Sequence, residues 1–253
     1  MTMEQFLSVP ETSSRELVVA NRTDPEPFQR MIEKLFAKQS VSVGETSHRE
    51  YPENTVLLLE DGEVIAESPL AALRDAILMV NSDLYLTGTR GLDRTTVPDV
   101  IDQLTDVRFS LRGYPDSDTE KLLLILISRH IERRAYEARE GTLRSSFQHL
   151  SRIKDERGTR RAYERVSNTD VDVHVYGKPD WRPTSELDVT MHGGKKAAFE
   201  FSWFVLYQPP PDHPAEQSAA LLAIETGNSE WEGFWTYDQS LITDLAEYIR
   251  ANL

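Results

Sequence analysis

Three groups of residues in this sequence have side chains and spacings suited to chemistry. Arg129 and Glu132 stand three apart in Arg129-His130-Ile131-Glu132-Arg133-Arg134, so on a helix they share one side. There they form either a local ion pair or a clamp for a ligand carboxylate or phosphate, and the two readings weigh evenly. His174 and His192 fall on two segments that read as adjacent strands, and Asp180 lies close by in sequence. A hydrolytic constellation of these three is the least favoured reading, and a metal site would need a third ligand that the sequence does not name. The third group is aromatic. All four tryptophans, Trp181, Trp203, Trp231 and Trp235, fall in the second half of the chain. Strand alternation puts Phe199, Phe201, Trp203, Val205 and Tyr207 on one face, and likewise Trp231, Gly233, Trp235 and Tyr237, with Phe204, Leu206 and Phe234 opposite. A sheet apolar on both sides is either covered on both sides or offers one as a binding surface. The favoured reading is core, with helices over residues 119–140 and 241–252 covering the two faces. The alternative is a pocket walled by aromatic rings, with Gly233 allowing close approach.

Other chemistries are excluded or weak. No Gly-x-x-x-x-Gly-Lys-Ser/Thr and no Gly-x-Gly-x-x-Gly after a first strand occurs, and Gly193-Gly194-Lys195-Lys196 reads as a turn. The six histidines form no His-x-x-x-His or His-Glu-x-x-His, and no Gly-x-Ser-x-Gly elbow exists. The absence of cysteine rules out disulfides, zinc–thiolate sites, iron–sulfur clusters and a thiol nucleophile. With 28 Lys+Arg against 42 Asp+Glu, the net charge of −14 argues against sequence-independent binding to nucleic acid or anionic lipid. Only 7 of the 28 basic residues are lysine, a balance that fits a salt-adapted cytoplasm, with an ordinary acidic bacterial protein as the alternative. The longest apolar run, residues 122–127, is far too short to span a bilayer, and the first residues do not read as a signal peptide. A soluble, cytoplasmic protein is expected, with no membrane and no nucleic acid among its partners.

The elements that must position these residues follow from periodicity. The 253 residues, 39% of them hydrophobic, suffice for one large domain or two ordinary ones. Glu16 to Ala20 reads as a buried strand. Asp24-Pro25 opens a helix with Phe28, Met31, Ile32, Leu35 and Phe36 on one stripe. Asp61-Gly62 between two apolar runs marks a hairpin with a type I′ turn. Ser68-Pro69 then opens a helix burying Leu70, Leu73, Ile77 and Leu78, followed by a short helix near 97–104 and a strand near 106–111. A turn-rich break at residues 113–118 divides a small α/β subdomain, residues 1–113, from residues 114–253. The second part reads as a long helix over 119–140 stopped by Gly141, then helices around 143–152 and 156–166. Strands follow over 171–176, 187–192, 199–207, 219–225 and 231–237, with a closing amphipathic helix. The fold class is α+β: a small N-terminal α/β subdomain, then a mainly antiparallel sheet covered by long helices.

Five stretches, in order, resemble the DICT sensory domain in its haloarchaeal form. They are Ile127 to Ala135, Phe147 to Arg152, Val173 to Asp180, Ser202-Trp203-Phe204-Val205, and Gly233-Phe234-Trp235-Thr236-Tyr237-Asp238. They run from Ile127 to Asp238, and the resemblance is taken to cover about residues 119–250. Such domains accompany diguanylate cyclase, phosphodiesterase, STAS and two-component modules. The resemblance therefore implies signal sensing, with light responses or redox as suggested contexts. The sequence shows no cyclase, kinase or DNA-binding segment of the fused members, so output to a separate effector is expected. The resemblance carries over no catalytic residue and no cofactor, so a non-enzymatic protein is expected. Arg129, Glu132, Tyr176, Asp180, Trp203, Trp235 and Asp238 are the expected ligand-binding residues. The long helix is the expected transmitter, shifting between two packings on the sheet. A small-molecule ligand and a signalling protein are the expected partners, with a homodimer as one further form. The alternative is a scaffold that binds a protein and no small ligand.

Overall fold

Apolar strands in the first part of the chain must hide from water, and they do so by forming a sheet around a βαβ unit. The computed structural model describes residues 2–8, 14–36, 39–85, 97–112, 118–182, 187–214, 217–227 and 229–253. After a 3₁₀ helix at Met3–Ser8 come β1 (Arg15–Ala20), α1 (Glu26–Phe36), β2 (Val41–Thr46), β3 (Thr55–Glu60), β4 (Glu63–Pro69) and α2 (Leu70–Tyr85). The four strands lie in the order β2-β1-β3-β4, with β1 and β2 parallel across the α1 crossover. The β3–β4 turn holds Asp61 at φ 49° and Gly62 at φ 90°, the positive values that a type I′ turn demands. On α2, Leu70, Leu73 and Ile77 are buried as expected, but Leu78 is 47% exposed. The next residue round the helix, it turns off the buried stripe.

The second part continues with α3 (Asp99–Asp102), β5 (Arg108–Arg112), α4 (Asp118–Ala138), β6 (Thr142–His149), α5 (Ser151–Asp155), α6 (Arg157–Ser167) and β7 (Asp172–Lys178). It closes with β8 (Thr190–Gly193), α7 (Ala197–Glu200), β9 (Ser202–Gln208), β10 (Ala219–Gly227), β11 (Glu230–Thr236) and α8 (Gln239–Asn252). Seven strands form one sheet in the order β5-β11-β10-β9-β6-β7-β8. Pairings from β5 through to β6 are antiparallel, and β6–β7 and β7–β8 are parallel. The α+β reading of the sequence holds. Apart from Asp118, the break read at 113–118 lies outside the described residues, as does Asn228 in the β10–β11 turn. Strand β5, on the N-terminal side of that break, pairs with β11 near the chain's end.

Both faces of the large sheet are covered. Val205, Tyr207, Leu221, Trp231 and Trp235 share a core with α4 that continues to Leu17 and Leu58 of the small sheet. Phe204, Leu206, Leu222 and Phe234 lie opposite, beneath Ile242, Leu245 and Ile249 of α8. Two sequence expectations are corrected. Of the span read as helical around 143–152, residues 143–149 belong to β6, an interior strand between β9 and β7, and only its last two residues fall in a helix, α5. The buried positions of β6 include Arg144, Ser145, Ser146 and Gln148, so polarity masks its period of two. Strand β9 begins only at Ser202. Phe199 therefore sits on α7 in the opposite core, and Phe201 is 43% exposed.

Candidate functional site

The chemistry gathers where α4 crosses the sheet. Positions 125, 128, 129 and 132 recur at helical spacing on one side of α4, and this side faces β6, β9 and α6. A cavity of about 50 Å³ lies there, lined by Ile125, Ser128, Arg129 and Glu132 from α4. Ser146, Phe147 and Gln148 from β6, Trp203 and Val205 from β9, Thr159 from α6, and Lys121, Arg152 and Glu156 complete its lining. Arg129 Nη1 donates to Glu132 Oε2 at 2.5 Å, and Arg129 Nη2 donates to Thr159 Oγ1 at 2.8 Å. Thr159 Oγ1 in turn donates a hydrogen bond to Glu156 Oε2 at 2.9 Å. The floor is fixed by Ser146 Oγ and Gln148 Nε2, both donating to the Ser202 carbonyl at 2.9 Å.

This ion pair is not a solvated helix pair. Side-chain exposure is 13% for Arg129 and 3% for Glu132, and at such burial an unpartnered charge is costly. Burial works against the Arg129 charge, but the Glu132 carboxylate outweighs it and raises the guanidinium pKa. Tyr163 of α6 is buried beside the pair, and burial together with Glu132 pushes its pKa well above the ordinary phenol value. Ser145 and Glu132 lie alongside the Tyr163 hydroxyl, yet that hydroxyl, Ser145 Oγ and Ser128 Oγ are buried without a well-formed hydrogen bond. Three such groups around one charged pair make a polar interior with unmet hydrogen-bonding capacity.

Of the seven residues singled out in the sequence, Arg129, Glu132 and Trp203 meet at this cavity. The other four lie elsewhere. Trp235 is 3% exposed, stacks on Phe109 at 5.9 Å between centroids, and belongs to the core. Gly233 does admit a close neighbour, the chain's own Phe109 ring, which a Cβ would meet at 2.5 Å. Asp238 is the N-cap of α8, accepting from the Leu241 N–H at 2.9 Å. Tyr176 lies on the opposite face, where it accepts from Arg144 Nη1 at 3.1 Å and stacks on His192 at 4.4 Å. Asp180 is exposed at the start of α5, accepting from the Ser151 N–H, the Ser151 hydroxyl and His149 Nδ1, each at 2.9 Å. Burial opposes ionisation of Asp180, but these bonds prevail and lower its pKa. Sequence reasoning missed Ser128, Phe147 and Thr159 at the cavity. The spacing of Ser128 from Glu132 was a usable signal, whereas nothing local points from α4 to Thr159, thirty residues on.

Two further polar clusters stand apart. Asp102 of α3 accepts from Tyr237 at 2.8 Å and Arg134 at 3.3 Å and pairs with His130 at 2.9 Å. Burial would raise the Asp102 pKa, but the bonds from His130 and Tyr237 and the charges of His130 and Arg134 hold it well below the usual carboxylate range. His174 and His192 do meet, Nδ1 to Nε2 at 2.8 Å, but their carboxylate partner is Asp172, at 2.8 Å from His174 Nε2, and not Asp180. With His174 Nε2–H on Asp172, neutral rings run in one order: His192 donates to His174, which donates to Asp172. Burial, then His174, lowers the His192 pKa. The folded state thus prefers neutral His192, a stabilisation present above the ordinary histidine pKa and lost as pH falls through the folded value. Urea denaturation between about pH 7 and pH 5 should show stability falling with pH, and less steeply in His192→Asn. Equal slopes would remove the pair as the cause. Among the described residues no group of three or more His, Cys, Asp or Glu is arranged to hold a metal ion, and no helix is long and apolar enough to cross a membrane.

Comparison with known proteins places these features in a family context. A family model described as "Sensory domain in DIguanylate Cyclases and Two-component system", DICT, matches residues 99–226, which include α4, the cavity and the α5–α6 helices. No curated protein matches the sequence. Among solved structures, a polyphosphate kinase from Porphyromonas gingivalis aligns at 10% identity and a TM-score of 0.31, over 96% of this chain and 46% of the kinase. The chain thus spans less than half of that kinase's length, and the likeness is too distant to bear on fold or function.

Proposed function

We propose, from the premise that this chain belongs to the DICT family of sensory domains, that it senses a small polar molecule held in the cavity between α4, α6 and the large sheet. The observation that carries this reading is the buried Arg129–Glu132–Thr159 network, with the buried Ser128 hydroxyl left without a partner on the cavity wall. A core needs none of these groups, and an apolar replacement of similar volume is often at least as stable. Helix α4 carries the output. It holds the cavity through Ser128, Arg129 and Glu132, and on another side it meets Asp102 and Tyr237 through His130 and Arg134. A ligand that favours one packing of α4 over another shifts the population between them. The effector is a separate signalling protein, and the chain itself performs no catalysis.

Amide hydrogen exchange of the full chain, with and without a dialysable extract of its own cells, tests the reading. Exchange should slow in Asp118–Ala138 and Arg157–Ser167 on adding extract, and an Arg129→Gln/Glu132→Gln double variant should lose that response. Unchanged exchange in both helices would defeat it.

A further inference from the structure

We infer that Arg144 marks a second site, on the face of the large sheet opposite α4, where a small oxyanion, a phosphate or a carboxylate, supplies the counter-charge that the chain itself withholds. Arg144 stands on the interior strand β6, beside Leu206 of β9 and His174 of β7. Leu206 and Phe204 on that face belong to the core beneath α8, and Arg144 is 8% exposed. A buried cation is expected to hold a carboxylate. Arg15 and Arg129, with similarly buried side chains, do so through Glu60 and Glu132. Arg144 does not: among the described residues its one hydrogen bond runs from Nη1 to the Tyr176 hydroxyl at 3.1 Å, and its Nε is buried with no partner.

The carboxylates at hand are committed elsewhere. Asp172 of β7 accepts from His174 Nε2 at 2.8 Å, and its side chain is 63% exposed to water. Glu200 of α7 holds Lys178 at 3.0 Å. Tyr176 adds a donor and no charge. Burial raises its pKa over the opposing charge of Arg144, so the hydroxyl keeps its proton, and no acceptor for that proton stands among the described residues. His192 stacks on the Tyr176 ring at 4.4 Å between centroids and fixes its plane. The guanidinium and the phenol thus offer hydrogen-bond donors around one uncompensated positive charge, to which an oxyanion brings lone pairs and negative charge. A neutral guest would leave the cation unpaired, and a cationic one would add to the cost.

Thermal denaturation of the full chain in chloride buffer tests this, with inorganic phosphate or acetate titrated in at fixed ionic strength. At least one of the two should raise Tm saturably, by roughly 5–10 °C at a hundred times its Kd. Phosphate acting alone identifies a phosphate, and acetate acting alone a carboxylate. The double variant Arg144→Met/Tyr176→Phe removes cation and hydroxyl together and strands neither. It should lose the shift and, with no oxyanion added, melt at or above the wild-type Tm, because a buried unpaired charge is gone. A double variant that melts well below wild type makes Arg144 a structural tie and overturns the proposal. Equal rises in wild type and double variant are the general stabilising effect of the salt and overturn it as well, as does the lack of a saturable rise with either oxyanion. Tyr176→Phe alone keeps the cation and should weaken the response without abolishing it.

Discussion

Replacing Arg129 by methionine should cost the fold about 3–5 kcal/mol, because it strands the Glu132 carboxylate in an interior where its side chain is only 3% exposed. For a chain of this size that is a fall in Tm of roughly 10 °C or more. The cost is a penalty on the abandoned partner and not the net worth of the pair, so the double variant Arg129→Met/Glu132→Leu should recover to within about 1 kcal/mol of the parent. Chemical denaturation of the single and double variants measures both numbers. A single-variant loss below about 1 kcal/mol would mean that water reaches Glu132 freely, as at an exposed pair. The recovered double variant would fold well and sense nothing, which separates what holds the molecule together from what it does.

The second large effect lies at Gly141, between α4 and β6. Its φ is +94°, and an added Cβ would stand 2.4 Å from the Gln208 carbonyl oxygen and 3.1 Å from Pro209 Cα, both backbone atoms of the neighbouring strand end. Gly141→Ala therefore meets two separate penalties, a disfavoured backbone conformation and a clash that no rotamer relieves. Together they should cost about 3 kcal/mol or more. Gly62 is the matched control: φ is +90°, but no atom lies within 4 Å of its Cβ position, so Gly62→Ala should cost about 1 kcal/mol. Thermal melts of the two variants give the comparison, and equal losses would show that the contact with β9 relaxes at no cost.

What could be read in the sequence was whatever a short window dictates. The Asp61-Gly62 turn, the α1 stripe and the amphipathic α8 depend on neighbours a few residues away, and each folds as its local chemistry requires. Strand β6 was misread because it is interior: its environment is set by β7 and β9, and it buries Arg144, Ser145 and Ser146 alongside Leu143. Strand β2, Val41–Thr46, was not anticipated at all, because as the outer strand of the small sheet it buries only Val41 and shows no alternation. The site divides in the same way. The three-residue spacing brought Arg129 and Glu132 into view, but a local ion pair and a ligand clamp look alike until burial is known. Trp235 and Gly233 suggested an opening, and the ring that fills it, Phe109, comes from β5, more than a hundred residues upstream.

The pairing of β5 with β11 has a consequence for how the chain assembles. Residues 108–112 are synthesised well before 230–236, so this margin of the sheet waits for nearly half the polypeptide to emerge. By contrast the β6–α5–α6–β7 unit and the β10–β11 hairpin can order early, since each joins segments close in the chain. Closing the longest loop comes at an entropic cost that only the completed sheet repays. Until then an unpaired strand with a phenylalanine on it stands open to self-association, which makes the final strand the gatekeeper of maturation on the ribosome.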